Sequence, residues 1–516
     1  MRLLPMNAGQ ARARLVQAAA VLSAVALLTA CGAGYRPVVT PIGTSGPAPQ
    51  VQSYAVVVSA PSPTMPGVVT IIDYSGDTVL AVAPIGPGPM AFTIDSYSAN
   101  GYTVNSDGTL TNFPISTTLQ AKQVTYSTLS SATQTAPPHP PVNMFAPSFG
   151  LWGADLNGSY ADVFTGSPEA FKVAIPVATT PVTIVGPGSL GEFDFAISQN
   201  IVNPTGVECN IAPRTVQVNG RADVLGTSAY SVSATIPLDP TNPTNNPKGT
   251  MNAVCPVYAV QSSDNRRTFV LNRGSDTISV INDQSNTLDS CTPFLNQNGQ
   301  TVTCHPILPL STGAGLAQNA NETVPAIAGP VYAEYNAASS QLVVADYDGN
   351  AISVIDVSLD EYGNDSATFG TTYTIPVGNN PASVTALADG SRAYTANQTD
   401  QTVTIVNLSS HTVEKTLPVI GHPRTVVSTQ NSSYGKVYVA SPDSPYLTIL
   451  RTDLDIVDTT ILVEGNIVDV RATTQNGSNA NAGNAIDVSR VPGYGEPCYL
   501  PGAAAQATLT ACQTLP

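Results

Sequence analysis

Residues 390–421 read GSRAYTANQTDQTVTIVNLSSHTVEKTLPVIG. Polar and apolar residues alternate over 393–397 around Tyr394, and again over 402–408 through Val403, Ile405 and Leu408. A polar stretch from Gln398 to Gln401 separates the two runs. Period-two alternation rich in Val, Ile, Thr and Tyr, bounded by turn residues, predicts two facing strands joined by a tight turn. An outer strand and a glycine exit follow.

The pattern recurs with one internal distance. Asn397 precedes Thr404 by seven residues, as Asn272 precedes Ser279, Asp346 precedes Ser353 and Ser441 precedes Thr448. Two looser copies, YAVVVSAPSPTMPGVVTIID and GYTVNSDGTLTNFPI, lie near the start. Units of about 40–50 residues, each carrying several short strands, predict the blades of a β-propeller. The units fall at about 54–85, 89–129, 142–177, 181–238, 250–310, 324–378, 379–421 and 422–465. They make eight blades, or seven if the irregular third and fourth share one. Proline recurs near the ends of units, at Pro176, Pro237, Pro376 and Pro418. Proline cannot donate to a ladder, so it suits an outermost edge strand and guards it against pairing with other chains.

The first unit lacks an inner strand, and the stretch 467–471 is a lone strand with no successors. Pairing the two closes the ring. The fold predicted is therefore all-β: a single propeller of seven or eight four-stranded blades over 53–473, closed by a C-terminal strand joining the N-terminal blade. Composition agrees, with 43 Pro, 40 Gly and only 10% charged residues. No stretch after the N-terminus sustains a 3.6-residue period without Pro or Gly. The single tryptophan, Trp152, reads as a filler of the core or of an interface between blades.

Residues 1–30 depart from this pattern. Arg2, Arg12 and Arg14 precede an apolar run, and Leu28-Thr29-Ala30-Cys31-Gly32 follows it. Small residues before a cysteine at the end of such a run resemble the lipobox of bacterial lipoproteins. The resemblance implies lipid attachment at Cys31, with residues 31–52, rich in Gly, Pro and Thr, as a flexible tether. Gly32 after the cysteine fits sorting to an outer membrane where one exists. The leader's three arginines belong to the chain's 19 basic residues, set against 35 acidic ones, so the mature chain carries about −19. That charge argues against nucleic acid as a partner. Seven cysteines less Cys31 leave an even number, as an exported chain favours. Proximity pairs Cys291 with Cys304 and Cys498 with Cys512, and leaves Cys209 with Cys255. The second of these pairs would staple a surface extension over 474–516.

The segments YTANQTDQTVTIVNL, VVADYDGNAISVIDV, VLNRGSDTISVIN and YVASPDSPYLTIL resemble the YVTN-type β-propeller repeats of envelope proteins, most clearly over 266–463. Relatives of that repeat include lactonase-like enzymes and a cofactor-binding domain of an oxidoreductase. The repeat itself specifies the fold and carries no catalytic residue.

Candidate chemistry is thin. His139, His305, His411 and His422 have no ligand spacing among them, and no nucleophile elbow occurs. Residues 186–191 match GxGxxG but contain Pro187 and precede no helical pattern. Asp346, Asp348 and Asn350 form half a calcium loop with no closing Glu, so no cofactor is expected and a structural calcium ion is the one ion left open. The face where inner strands begin is expected to carry Arg273, Asp276, Asp346, Asp348, Asn397, Asp400, His422 and Arg424. In a cation-poor chain these mark a docking face for a protein or carbohydrate ligand. On the inner strands the sequence offers only Asp469 and Arg471. The function expected is a lipid-anchored, non-catalytic interaction scaffold. The alternative is a lactonase-like or dehydrogenase-like enzyme using a metal or cofactor in the channel.

Overall fold

The computed structural model describes residues 53–473, apart from 63–64, 107–108, 122–124, 129–140, 142, 148–149, 157, 167–168, 188–192, 203–217, 241–251, 297, 311–326, 430–431 and 434. The leader, Cys31, Cys209, Cys498 and Cys512 lie outside the described residues.

The strands form eight four-stranded antiparallel blades in a ring. Blade 1 joins Tyr54–Ala60, Pro66–Asp73 and Val79–Pro87 to Asn466–Ala472, its innermost strand. The following blades run, innermost to outermost strand, as follows: Pro89–Ile94 to Thr125–Thr128 (blade 2), Asn143–Phe145 to Glu169–Pro176 (blade 3) and Pro181–Val185 to Ser231–Pro237 (blade 4). Blade 5 opens with Pro256–Gln261, blade 6 spans Pro330–Asn336 to Thr372–Pro376, blade 7 Pro381–Ala386 to Thr412–Pro418, and blade 8 Thr425–Thr429 to Ile456–Leu462. The third and fourth units are thus separate blades, and the count is eight. The lone strand closes the ring as expected, in antiparallel register from Ala55 opposite Ala472 to Ala60 opposite Asn466. The one α-helix among the described residues, Ile115–Ala121, follows the third strand of blade 2. Residues Asp73–Thr78 form a turn in which Ser75 Oγ donates to Asp73 at 2.6 Å.

In three of the four copies the recurring seven-residue distance has a physical cause; in the fourth, Ser441 Oγ donates instead to the Ile420 carbonyl at 2.8 Å. The spacing places a polar side chain ending the second strand of a blade diagonally across from one on the third. Asn397 Nδ2 donates to Thr404 Oγ1 at 2.8 Å, Asn272 Nδ2 to Ser279 Oγ at 2.8 Å, and Ser353 Oγ to Asp346 Oδ2 at 2.6 Å. Blade 2 does the same with Asn105 and Thr111, whose shorter turn makes the distance six. All these groups are buried. A buried amide or hydroxyl must find a partner, and this pair supplies one within the sheet.

Proline marks both edges of the blades. Pro176, Pro237, Pro376 and Pro418 end outer strands, as the sequence suggests. Pro89, Pro181, Pro256, Pro330 and Pro381 open inner strands, and the register slips by one residue directly after each. The first position of a strand is where a residue without an N–H is tolerated, and the bulge adds local twist.

Apolar side chains on the two faces of each blade meet those of its neighbours, so the core lies between blades. Trp152, Val163 and Phe145 of blade 3 pack with Ile184, Ala196 and Leu225 of blade 4, and Trp152 lies 6.2 Å from the Tyr230 ring. Outer strands show the opposite pattern. Five of the seven residues of Thr412–Pro418 in succession are exposed.

Candidate functional site

The face where inner strands begin is also where second strands end and third strands start, since Pro381 pairs with Asn397. The sequence's eight candidates fall on or beneath this face, and the structure pairs most of them with each other or with the protein's backbone. Arg273 is 2% exposed. Its Nε and Nη2 donate to both oxygens of Asp348 at 3.1 and 2.8 Å, and its guanidinium lies 5.2 Å from the Tyr347 ring centre. This fork clamps blade 5 to blade 6. Gly329 passes so close to it that a Cβ there would sit 1.8 Å from the Asp348 carboxylate, and its φ of +61° adds a second reason for glycine. Asp276 accepts from the N–H groups of Ala328 and Gly329 at 3.2 and 2.9 Å, a second tie between the same blades.

Asp346 and Asn397 are fully buried in the intrablade pairs described above. Burial raises the Asp346 carboxyl to about 8, with Ser353 opposing and the charges of Asp276 and Asp348 adding to the rise. Asn350 Oδ1 accepts from Asn380 N at 2.9 Å. The half calcium loop therefore directs its three side chains to three different contacts: Ser353, Arg273 and the next blade. Asp400 is exposed and accepts from the main-chain and side-chain nitrogens of Asn379 at 2.7 and 2.8 Å. His422 Nδ1 meets Asp443 Oδ2 at 2.6 Å, while its Nε2 faces the Gln401 amide at 3.1 Å. Arg424 turns inward, and its Nη2 donates to the carbonyl of Val468 on the closing strand.

Behind this face the channel edge of each inner strand carries backbone groups with no further strand to pair with. Side chains of neighbouring blades satisfy several of them. Glu334 Oε2 of blade 6 accepts from Ala386 N of blade 7 at 3.0 Å. Ser383 and Thr385 of blade 7 accept from Val426 N and Ser428 N of blade 8, both at 3.1 Å. Ser383 Oγ also donates to the Arg424 carbonyl at 2.7 Å, and Ser428 Oγ donates to the Ala386 carbonyl at 2.9 Å. With the bond from Arg424 to Val468, a polar belt runs from blade 6 through blades 7 and 8 to blade 1.

Arg471 and Asp469 lie on the closing strand, and Tyr258, Tyr332 and Glu334 lie on the inner strands of blades 5 and 6. Blade 1 stands opposite blade 5 in a ring of eight, so Arg471 reaches into the channel toward the tyrosines. All five side chains are buried, Arg471 with 4% exposure. The tyrosine rings lie 4.8 Å apart and share a hydrogen bond. Burial pushes the Tyr332 hydroxyl up to about 12 and Tyr258 well above its ordinary value, with Arg471 pulling both down. Burial disfavours the Arg471 charge, but Asp469 and the two tyrosines outweigh it and raise its pKa. Its Nη2 donates to Asp469 Oδ2 at 3.4 Å, while its Nε has no hydrogen-bond partner among the described residues. A guanidinium, two neutral phenols and two carboxyl groups can orient a polar ligand. Asp469 and Arg471 are visible in the sequence on a strand assigned to the channel. Tyr258, Tyr332 and Glu334 were missed, because the repeats align on second and third strands. Pro256 and Pro330, which open these two inner strands, are the signal that would have exposed them.

Among the described residues no group of three or more His, Cys, Asp or Glu side chains is arranged to hold a metal ion. Nor is any helix among them long and apolar enough to cross a membrane. Cys291 and Cys304 form a disulfide, with Cα atoms 5.5 Å apart, and Cys255 is also disulfide-bonded.

No protein-family profile matches the chain. No curated protein matches it either. Solved structures do resemble it. Apo AztD from Citrobacter koseri is 12% identical, with 82% of this chain and 97% of that one covered and a TM-score of 0.46. The dihydro-heme d1 dehydrogenase NirN, solved in complex with DHE, is 13% identical, with 83% and 76% covered and a TM-score of 0.52. At such identity the likeness concerns the fold alone.

Proposed function

We propose that the chain is an exported lipoprotein, anchored through Cys31 to the cell envelope, on the outer membrane where one exists. Its eight-bladed ring acts there as a non-catalytic scaffold for a protein or carbohydrate ligand. One observation carries this reading above the others: several charged groups of the rim hold blades together. Arg273 with Asp348, Asp276 with the Gly329 backbone, and Arg424 with Val468 each tie one blade to another. Such a body is rigid and presents its insertions in fixed positions. The lipobox-like Leu28-Thr29-Ala30-Cys31 supplies the anchor. Detergent phase partitioning of the full chain from bacterial membranes tests the anchor. The protein is expected in the detergent phase, and the Cys31→Ser variant in the aqueous phase. Recovery of both in the aqueous phase would end the reading.

The buried cluster of Arg471, Glu334, Tyr258 and Tyr332 favours a second reading, an enzyme of lactonase-like or dehydrogenase-like type working in the channel. Elemental analysis of the purified protein separates the two. A stoichiometric bound ion points to the enzyme.

A further inference from the structure

A cleft of about 350 Å³ lies between blades 5 and 6, on the end of the ring where inner strands finish. Ser262, Asp264 and Arg266 reach it from the turn between the first two strands of blade 5. Tyr335 comes from the inner strand of blade 6, and Val357, Leu359 and Asp360 from the long connection after its third strand. The volume stands near the lower end of the roughly 300–1,000 Å³ typical of small-molecule sites. It accommodates one sugar ring and little more.

The floor is built, not merely left over. Arg267 is 3% exposed and donates to Asp365 at 3.1 Å, with Asp289 at 3.3 Å. Asp365 also accepts from His305 N at 3.0 Å and meets His305 Nδ1 at 2.8 Å. His305 stacks on Phe369, and the Cys291–Cys304 disulfide fixes the residue beside it. One wall is therefore the connection of blade 6 tied to the excursion of blade 5, with a further bond from Asn298 Nδ2 to Glu361 Oε1 at 3.1 Å. A site held this firmly loses little freedom when a ligand enters.

Charge decides the ligand class. Arg266 Nε stands 3.8 Å from Asp264 Oδ2, and both side chains are well exposed at 39% and 46%. They offer donors and acceptors side by side without net charge. Arg267 is already neutralised by two carboxylates. Asp360 accepts from the N–H groups of Tyr362 and Asn364 and from Asn364 Nδ2. Although its slight burial opposes it, these bonds from Asn364 and Tyr362 lower the Asp360 pKa, so the carboxylate is satisfied without a cation. An anion finds no unmatched positive charge, and a cation finds no unspent carboxylate pair. A neutral polyol suits the cleft, because each hydroxyl both donates and accepts.

We propose that this cleft binds a neutral saccharide, one hexose unit between Asp264, Arg266 and Tyr335. The proposal rests on the scaffold reading and gives its carbohydrate branch a site. Saturation-transfer NMR on the intact chain, with glucose, galactose, mannose and N-acetylglucosamine as probes, tests it. At least one sugar is expected to bind saturably. Arg266→Ala and Asp264→Asn are expected to weaken that binding roughly tenfold each, about 1.4 kcal/mol, with melting temperature unchanged. Arg266→Lys keeps the charge but not the fork and is expected to lose part of the affinity. Binding of none of the four sugars, binding only of glucuronate or calcium, or binding undiminished in both variants would each overturn the site. The Cys31→Ser partition result is independent of every one of these outcomes, so the anchor and the sugar site fail separately.

Discussion

Blade 7 and blade 5 share their first three strands and the buried Asn–hydroxyl pair between the second and third. They part at the fourth. In blade 7, Thr412–Pro418 runs the length of the third strand from Asn407 to Thr402, with one bulge between Ile405 and Val406. In blade 5 that place is filled by two fragments. Thr287–Leu288 pairs with Ile281 and Asn282, while Ile307–Pro309 pairs with Thr277 to Ser279. Between them the chain leaves the sheet, forms the small hairpin of Phe294–Leu295 and Thr301–Val302, and returns through the Cys291–Cys304 disulfide. The difference shows where a blade is free to vary. Inner strands are packed on both faces, so an insertion there would displace side chains already close-packed against two neighbouring blades. The outer strand is largely exposed, so an insertion costs only a few ladder bonds. Blade 5 replaces those bonds with a disulfide and a buried ion network.

The comparison breaks most easily at that network. Arg267→Ala strands Asp289 and Asp365 in the interior, and the expected loss is ~3–5 kcal/mol by chemical denaturation. The Asp289 carboxyl is already pushed up to about 6 by burial and by Asp365, with Arg267 opposing the rise. The matching change in blade 7, Arg392→Ala, removes a pair with Asp455 that is 14–15% exposed. It should cost clearly less, and equal losses would sink the distinction. Next comes the double variant Cys291→Ser, Cys304→Ser. A closed loop of this size is worth ~2–3 kcal/mol, and the loss should appear in the denaturation midpoint. No loss would mean that the ion network alone holds the excursion.

The smallest effect extends the comparison to blade 6, where Asp346 stands in the place of Asn272 and Asn397. Its folded pKa of about 8 exceeds that of an unfolded carboxyl. Between about pH 4 and 8 the folded state holds a proton that the unfolded state has lost. Its contribution to stability is therefore greatest at low pH and declines as pH rises, by at most about 1.4 kcal/mol per unit. Asp162 in blade 3, raised to about 9 by burial and by the charge of Asp155, acts in the same sense. Asp346→Asn should flatten the decline between pH 5 and 7.5. A slope identical to that of the wild type would show that the carboxyl does not titrate in this range.

Much of this architecture was legible. The seven-residue distance marks a cross-strand pair within one hairpin, so it survives in the sequence as a fixed spacing. The closing strand was legible because it had no neighbours of its own, and Cys291 with Cys304 because they lie close along the chain. The channel was not legible. Its belt is made of single Ser, Thr, Glu and Tyr residues on short inner strands, each satisfying a backbone group in another blade. Nothing in spacing records such a contact. Arg273 and Asp348 were both visible as rim candidates, yet 75 residues of separation concealed that each is the other's partner. The cleft was hidden for the same reason, since its walls come from turns in two blades.

The closing strand also sets a timetable. Tyr54–Ala60 is among the first strands of the ring to leave the ribosome, and its partner ends at Ala472. Until then blade 1 presents an unpaired edge, and the ring stays an open arc whose two ends can join other chains as readily as each other. Completion must wait for the last strand of the ring, and contacts of such long sequence separation are the slow ones to form. A chain threaded through a narrow pore while unfinished would meet that pore unlocked, and would lock only on the far side.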